Sequence, residues 1–567
     1  MRIIRCAIIV TAILCSFIAL AGRCFYLQYF QSGKYQHLSL RQRQVNIKYN
    51  PRRAAVVDCR GRLLAASNET YSVFAEPRIV KDVNKTALEL HRTINIPSEQ
   101  IARIIKDSRN RGFVKIKANL KQWEIDTVRR ENIVGVGLFS DWTRYYPTGR
   151  LMCHVIGFVG AEQHGLAGAE FLYDQTLCGS SGEDIFFVDA SRKPIWPREQ
   201  KAQCSEGMGV ILTIDATIQQ FARDELYKQF KKYNADSAVV IVMKPKTGEI
   251  LAMVSLPDFD PCNFSKVEPS KLKNRAICDP FEPGSILKPI VAAIAIDNDI
   301  LSIEEKIFCE QGDYRGKGFG RIGEYGSHRF GTLSVCEILI KSSNIGMAKI
   351  GQRMGKEKLY DGLKLFGFGQ KTGVDLPGED CGILWPTDRW TGYSVTRIPF
   401  GQEIAVTAIQ IARAFCILAN GGKQVRPYVV KAFVDSDGKI HNLKQAPSPA
   451  GYVIKPEAAK QIVMQALTGV VERGTGQKAR LEKWHVFGKT GTANIARSGE
   501  AGYDNYYVSS FIGGAPAEDA RIVVLVSIRN PDKSIAYTGG TVAAPVVGSI
   551  IEKTLNYLEQ MYPAKTF

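Results

Sequence analysis

Residues 6–22 read CAIIVTAILCSFIALAG, a run without a single charge held between Arg5 and Arg23. No other stretch restricts the fate of its own residues so tightly. A helix rises about 1.5 Å per residue, so this run reaches roughly 25 Å, short but sufficient for the hydrocarbon core of a bilayer. It is expected to be a transmembrane anchor, with residues 1–5 as a short cytoplasmic N-terminus. A cleaved signal peptide is the competing reading, because Ala19-Leu20-Ala21 imitates a signal-peptidase site. The length of the apolar run favours an anchor that is retained. The charges leave orientation open: Arg2 and Arg5 precede the span, and Arg23, Lys34, Arg41 and Arg43 follow it.

The rest of the 567-residue chain has room for two or three soluble domains. With 45% hydrophobic and 23% charged residues it has ordinary globular composition, not that of a disordered chain. A net charge of +18 would suit nucleic acid, an anionic membrane surface or an acidic polymer equally well. There is no helix-turn-helix, zinc-finger or RNA-binding signature, and the basic residues are spread rather than blocked, so no nucleic-acid partner is expected. Thirteen cysteines include Cys6, Cys15 and Cys24 in or beside the anchor. The others, among them Cys59, Cys153, Cys178, Cys204, Cys309 and Cys381, form no C-x-x-C pair. Disulfides are open to them if the body lies outside the cytoplasm, but spacing gives no pairing. The seven histidines are scattered without H-E-x-x-H, and no metal site is expected.

Beyond the anchor, residues 40–75 alternate apolar and polar around turn signals and read as short strands. From about 83 to 133 the pattern turns helical, in segments such as ALELHRTI and SEQIARIIKDS, each opened by a cap. RYYPTGRLMCHVIGFVG reads as an extended piece, and GLAGAEFLYDQTLCGSSG as a short helix ended by glycine. The texture changes at GMGVILTIDATIQQFARDEL (207–226): a strand, a cap region, then an amphipathic helix. The expected division is therefore a mixed α and β region over 23–205 and a second domain over 206–567.

Lys-Thr-Gly occurs three times, at 246–248, 371–373 and 489–491. The first joins two β runs in ADSAVVIVMKPKTGEILAMVS and reads as a hairpin turn with a solvated Lys246 and a turn-forming Gly248. The second, in LFGFGQKTGVDLPGE, reads as a structural loop where Asp375 and Glu379 offset Lys371. The third, in WHVFGKTGTAN, sets Gly488 and Gly491 in a β-favouring segment. Such glycines weaken a strand unless something must approach its backbone, and an extended peptide adding to the strand edge is one such visitor.

Ser-x-x-Lys also matches three times. Ser436 to Lys439 lies in a hairpin turn, DSDGK, and Ser270 to Lys273 lies in a charged segment where Ser270 reads as a helix cap. Ser285 to Lys288 differs. FEPGSILKPIVAAIAID places Ser285 after a Pro-Gly break at the start of an almost wholly apolar helix. Positions three apart share a helix face, so Lys288 can bring its amine to the Ser285 hydroxyl. An apolar setting and a helix N-terminus would both depress the Lys288 pKa and free the amine to act as a base. Alone, the pair would read as a capping serine and a snorkelling lysine. Ser-x-Asn occurs at Ser108–Asn110, in a charged helical region, and at Ser342–Asn344, where the helical pattern of SVCEILIKSSNIGMAKIG stops and resumes. The second completes an ordered series at 285, 342 and 489.

With FEPGSILK, KSSN and FGKTGT in that order, the chain resembles the class B penicillin-binding proteins, membrane-anchored peptidoglycan D,D-transpeptidases. ILTIDATIQ, NGGKQVRPYVV, VVERGTGQKA and SSFIGGAPA look like further family landmarks, and PRRAAVVDCRGRLLA looks like the start of the family's non-catalytic pedestal. The chain is more similar to the division-specific septal branch than to the elongation branch, by its compact length and the Phe-Glu-Pro-Gly before Ser285. One departure stands out: the family's usual Asp-Arg-Asn-Gly reads Asp58-Cys59-Arg60-Gly61 here.

The resemblance implies an α+β multidomain chain: the anchor at 6–22, a pedestal of the dimerisation type over 23–205, and over 206–567 a transpeptidase domain whose antiparallel sheet is flanked by helices. It implies Ser285 as nucleophile, Lys288 as its base, Ser342 as proton relay and Asn344 as orienting amide. Lys489, Thr490, Gly491 and Thr492 are the implied substrate-binding strand, with the N–H groups of Ser285 and Thr492 facing the oxyanion. Substrates would be peptidoglycan stem peptides ending in D-Ala-D-Ala, β-lactams would be covalent inhibitors, and the N-terminus would lie inside with the body outside the cytoplasmic membrane. Septal partners would include a polymerising glycosyltransferase and other division membrane proteins. The elongation enzyme is the nearest alternative, followed by a β-lactam sensor or β-lactamase and by a division scaffold with an idle site.

Overall fold

Two units are assembled from separated stretches of chain, Met1–Arg52 with Cys178–Gly207, and Arg53–Leu177 with Met208–Phe567. The computed structural model describes all residues except 50, 110–112, 161, 181, 189–193, 203–204, 444–450, 497–501 and 562–567. Asn110 of the upstream Ser-x-Asn match, and Cys204, therefore lie outside the described residues.

In the first unit Arg2–Phe25 is an α-helix, continued by a wider π turn at Tyr26–Phe30. Together they are long and apolar enough to cross a membrane, and their apolar window is not buried by protein. The uncharged run at 6–22 lies inside this helix. A second helix, Ser32–Arg43, leads into a three-stranded antiparallel sheet with Gly182–Val188 between Gln44–Tyr49 and Pro194–Ala202.

In the second unit the expected short strands around residue 70 are one strand of 13 residues, Leu63–Ala75. Its length comes from a distant partner: Val136–Tyr145 pairs with it antiparallel, Ala66 opposite Tyr145 and Ala75 opposite Val136. Helices Val83–Ile94, Ser98–Asp107 and Gln122–Glu131 follow the expected pattern, with a short strand, Val114–Lys117, among them. Asp82 caps the first by accepting the N–H groups of Asn84 and Lys85 at 3.0 Å each, while the second starts after Pro97 without a side-chain cap. The piece expected to be extended at 144–160 instead turns through a 3-10 segment, Gly149–Met152, and a helical turn, Cys153–Ile156. Burial of Met152, Val155 and Ile156 drives the turn, and Gly157 admits the carbonyl of Ala167 only 1.9 Å from where a Cβ would lie.

A seven-stranded sheet runs from Ile440–Asn442 through Val430–Val434, Gly209–Leu212 and Val56–Val57 to Leu63–Ala75, which pairs with both Val114–Lys117 and Val136–Tyr145. Strands from both sides of residue 206 thus share one sheet. Charges reinforce the joint where the family's Asp-Arg-Asn-Gly is altered. The Asp58 carboxylate accepts the N–H groups of Arg60 and Arg62 at 2.9 Å, and both arginines reach Asp215, at 2.8 and 2.5 Å. Asp215 also caps helix Ala216–Lys232 through the N–H of Thr217. Cys59 lies beside this cluster, and burial with the neighbouring carboxylates pushes its thiol up to about 11. Cys59, Cys153, Cys309 and Cys381 carry free thiols.

The sheet that carries the motifs has five antiparallel strands in the order Ile250–Leu256, Ser237–Met243, Ile522–Arg529, Tyr503–Ala515 and Phe487–Ala496. Side chains alternate across it. Val240, Val242, Val524 and Val526 pack with Ile218 and Leu226 of helix Ala216–Lys232 and with Val547 and Ile551 of helix Ala544–Met561. Val239, Ile241, Val523 and Leu525 face the opposite core with Ile290, Ile294 and Phe415. Full burial of such side chains stabilises by about 1.5–3 kcal/mol each, which explains why these strands are apolar on both faces.

Two of the Lys-Thr-Gly copies serve this scaffold. The first turns between Ser237–Met243 and Ile250–Leu256, with Gly248 at φ +84° and Lys246 exposed beside Asp519. The second is a loop, but its carboxylates do not pair with Lys371: Glu379 accepts the N–H groups of Thr372 and Gly373, and Asp375 those of Val429 and Val430. Buried backbone donors need acceptors more than an exposed lysine does.

Candidate active site

Ser285 lies in a 3-10 turn, Gly284–Leu287, that runs directly into helix Lys288–Asp297. The serine is thus three residues before the α-helix proper, and Pro289 is tolerated in the first turn, where N–H groups lack partners. Two glycines clamp the turn. Gly401, at φ +84°, would place a Cβ 2.1 Å from the Gly284 carbonyl oxygen, and its own carbonyl accepts the Gly284 N–H at 3.0 Å. From the other side, a Cβ on Gly491 would lie 3.0 Å from Ile286 Cγ2 and 3.1 Å from Pro283 O. The visitor that Gly491 admits is therefore the serine turn itself, while Gly488 admits the ring of Phe511.

The middle motif joins two helices. Val335–Lys341 ends on Ser342 in the left-handed conformation (φ 60°, ψ 40°), and Ser343 caps Asn344–Leu365 by accepting the Gly346 N–H at 3.0 Å. A non-glycine residue held there costs on the order of 1–2 kcal/mol. The turn it makes brings the Ser342 carbonyl to Lys288.

Lys288 is fully buried, and its Nζ donates to Ser342 O at 2.6 Å, Asn344 Oδ1 at 2.8 Å and Ser342 Oγ at 3.3 Å. The expected bond to Ser285 is not among these, because the two shortest bonds point the amine toward the helix junction. Burial lowers its pKa to about 7, and the carboxylate of Glu324 works in the opposite direction. Lys489 is equally buried on Phe487–Ala496, which is an edge strand of the sheet. Its Nζ donates to Ser342 Oγ at 2.9 Å and Thr490 O at 3.1 Å. Burial, then the nearby Lys288 charge, hold it well below the usual lysine range. Ser342 Oγ is thus shared by two amines.

A cavity of about 540 Å³ opens over this network and is lined by Ser285, Ser342, Asn344, Thr490 and Thr492 among others. Lys288, Lys489 and Gly491 lie behind its wall. Thr490 Oγ1 is 2.6 Å from Thr475 Oγ1, and Thr492 Oγ1 accepts the Gly539 N–H at 3.0 Å. Thr475 falls within VVERGTGQKA, so sequence marked its segment without giving it a task. Glu324, also on the cavity wall, directly follows the glycine-rich hairpin of Asp313–Gly316 and Gly320–Gly323, with no motif to signal it. The rejected serines are elsewhere: Ser436 is exposed in the turn before Ile440–Asn442, and Ser270 is exposed inside the 3-10 segment Pro269–Lys271 rather than capping a helix.

Comparison with known proteins agrees with this architecture. Residues 238–552 match the family described as penicillin binding protein transpeptidase domain, and residues 48–212 match the penicillin-binding protein dimerisation domain. Stage V sporulation protein D of Bacillus subtilis is 35% identical over 544 residues, covering 95% of this chain and 83% of that protein. Peptidoglycan D,D-transpeptidase FtsI of Escherichia coli is 29% identical over 558 residues, covering 96% of this chain and 90% of that one. The crystal structure of penicillin binding protein 3 from Mycobacterium tuberculosis superposes with a TM-score of 0.69 at 26% identity, over 91% of this chain and 97% of that one. With a dimerisation domain followed by a transpeptidase domain, the chain belongs to the class B penicillin-binding proteins.

Proposed function

We propose that this chain is a membrane-anchored serine D,D-transpeptidase that cross-links peptidoglycan stem peptides. The observation that carries the reading is the buried Lys288 amine, bonded to Ser342 O and Asn344 Oδ1 behind the cavity that Ser285 lines. A neutral amine has two N–H bonds and one lone pair. Two firm carbonyl acceptors use the N–H bonds and leave the lone pair to take a hydroxyl proton.

Ser285 Oγ attacks the carbonyl of the penultimate D-alanine and passes its proton to Lys288. The N–H groups of Ser285 and Thr492 hold the developing oxyanion. The C–N bond to the terminal D-alanine then breaks, and the leaving amine takes a proton through Ser342, while Asn344 orients the substrate amide. Lys489, Thr490 and Thr492 bind the terminal carboxylate. An arriving anion favours the charged form of Lys489, which burial otherwise discourages. Gly491 lets the serine turn and the edge strand lie close enough to act on one carbonyl. An amine from a second stem then attacks the ester on Ser285 and frees the serine. A β-lactam ring enters by the same first step and remains as a covalent ester.

This chemistry sets topology. The substrate lies outside the cytoplasmic membrane, so residues 1–5 stay inside, 6–22 span, 23–205 form the pedestal and 206–567 the catalytic domain. We assign the enzyme to division, on the Phe-Glu-Pro-Gly before Ser285, with a septal glycosyltransferase and other division membrane proteins as its partners.

Release of D-alanine from a synthetic pentapeptide donor tests the reading. The lowered pKa means the competent neutral base predominates above it, so the rate is expected to rise with pH through about 7. A rate that falls as pH rises through that region, or no release by folded protein, would contradict it.

A further inference from the structure

Glu324 belongs to none of the three motifs, yet its carboxylate is fastened to the middle one. Oε1 accepts the Ser343 Oγ–H at 2.5 Å and the Ile345 N–H at 3.3 Å, and Oε2 accepts the Asn344 N–H at 2.6 Å. These donors stand at the start of a 22-residue helix, where backbone N–H groups lack helical partners and the helix dipole favours an anion. The preceding residue continues the hold: Gly323 O accepts the Asn344 side-chain amide at 3.1 Å. That bond fixes which end of the amide faces inward and turns Oδ1 toward Lys288 Nζ, 2.8 Å away.

The charge that acts on Lys288 is Glu324, brought by the segment after strand Gly320–Gly323, and Lys288 in turn acts on Lys489 of the edge strand. The helix junction bonds Lys288 through the neutral Ser342 and Asn344, the turn and helix carrying Lys288 are apolar around it, and Lys341, Tyr325 and His328 are the other titratable groups on this side of the cavity wall. Glu324 is therefore the negative charge that opposes the effect of burial on Lys288.

We infer that Glu324 is a positioning residue for the proposed acylation, its carboxylate holding Ser343 and Asn344 in place while keeping a negative charge toward the Lys288 amine. The inference rests on the transpeptidase reading and adds to it a residue outside the family motifs. Removing that charge while keeping the side-chain size lets Lys288 lose its proton at lower pH and weakens the hold on the Ser343 hydroxyl and the Asn344 backbone N–H.

The test is the rate of benzylpenicillin acylation against pH for wild type, Glu324→Gln and Ser343→Ala, with thermal midpoints measured alongside. In Glu324→Gln the acid limb is expected to move to lower pH, and the plateau rate to fall about tenfold as one charge-assisted acceptor is lost. In Ser343→Ala, which loses a hydrogen bond but keeps the carboxylate, the plateau is expected to fall with the limb unmoved. An unmoved limb in Glu324→Gln, or an equal movement in both variants, overturns the inference. If Glu324→Gln does not fold, Glu324→Asp replaces it. That variant retains the charge a methylene farther away, so a smaller movement in the same direction is expected and a profile identical to wild type overturns the inference. Failure of folded wild type to acylate at any pH would overturn the transpeptidase reading itself, whereas acylation with an unmoved limb overturns only the role of Glu324.

Discussion

Lys288→Ala is expected to slow acylation by penicillin about 10²- to 10⁴-fold, the range for loss of a positioned general base. Lys288→Arg is expected to be no better. The lysine can serve as a base because burial brings it to about 7, whereas a guanidinium keeps its proton throughout the accessible pH range. Nor does a forked guanidinium fit where one nitrogen now bonds both Ser342 O and Asn344 Oδ1. The alanine variant leaves those acceptors without a donor, which costs on the order of 1–3 kcal/mol each if they stay dry. The rate is therefore read on protein whose thermal unfolding shows it to be folded. Acylation of folded Lys288→Ala near the wild-type rate would remove Lys288 from the chemistry.

Gly401→Ala should damage the site from 116 residues away in sequence, since the two positions compared are Gly401 and Ser285. The new methyl would meet the Gly284 carbonyl oxygen at 2.1 Å and the Gly284 nitrogen at 2.5 Å, and the φ of +84° is itself unfavourable for alanine. Overpacking of about 1–3 kcal/mol and a left-handed penalty of about 1–2 kcal/mol combine to roughly 2–5 kcal/mol. Both a lower melting temperature and weaker penicillin labelling are expected, because the displaced atoms adjoin the nucleophile. Gly438→Ala is the matched control. Its φ is +79° with nothing within 4 Å, so it carries the backbone penalty alone and should label normally. Equal behaviour of the two variants would show that the serine turn is not clamped as described.

The parts legible in sequence are those whose cause is local. Asp215 before an amphipathic helix reads as a cap and is one, and Lys-Thr-Gly between two apolar β runs reads as a turn because Gly248 needs positive φ. Ser342–Asn344 interrupts a helical pattern, and the chain changes helices there. What escaped depends on partners far along the chain. The length of Leu63–Ala75 is set by Val136–Tyr145, and the turn at Gly149–Ile156 is set by burial rather than by its own β-like residues. A glycine in a strand signals a close approach without naming the visitor: at Gly491 a peptide at the strand edge is one candidate, and Pro283 and Ile286 are what lie against it. Spacing of three places Lys288 beside Ser285 in principle, but Ser342 and Asn344, more than 50 positions on, take its hydrogen bonds. Glu324 carries no pattern at all, since its partners are the capping hydroxyl of Ser343 and the backbone donors of a helix that starts 20 residues later.

Ser285, alone among the three Ser-x-x-Lys serines, is expected to be acylated. Covalent labelling with a fluorescent penicillin tests this on wild type, Ser285→Ala, Ser270→Ala and Ser436→Ala, with the signal followed after free label is washed away. Ser285 lines the cavity, while Ser270 and Ser436 are exposed away from it. Label lost only in Ser285→Ala, and persisting for many minutes on the other three proteins, is the predicted result. Label that survives Ser285→Ala, or is absent from folded wild type, would contradict the active site described above.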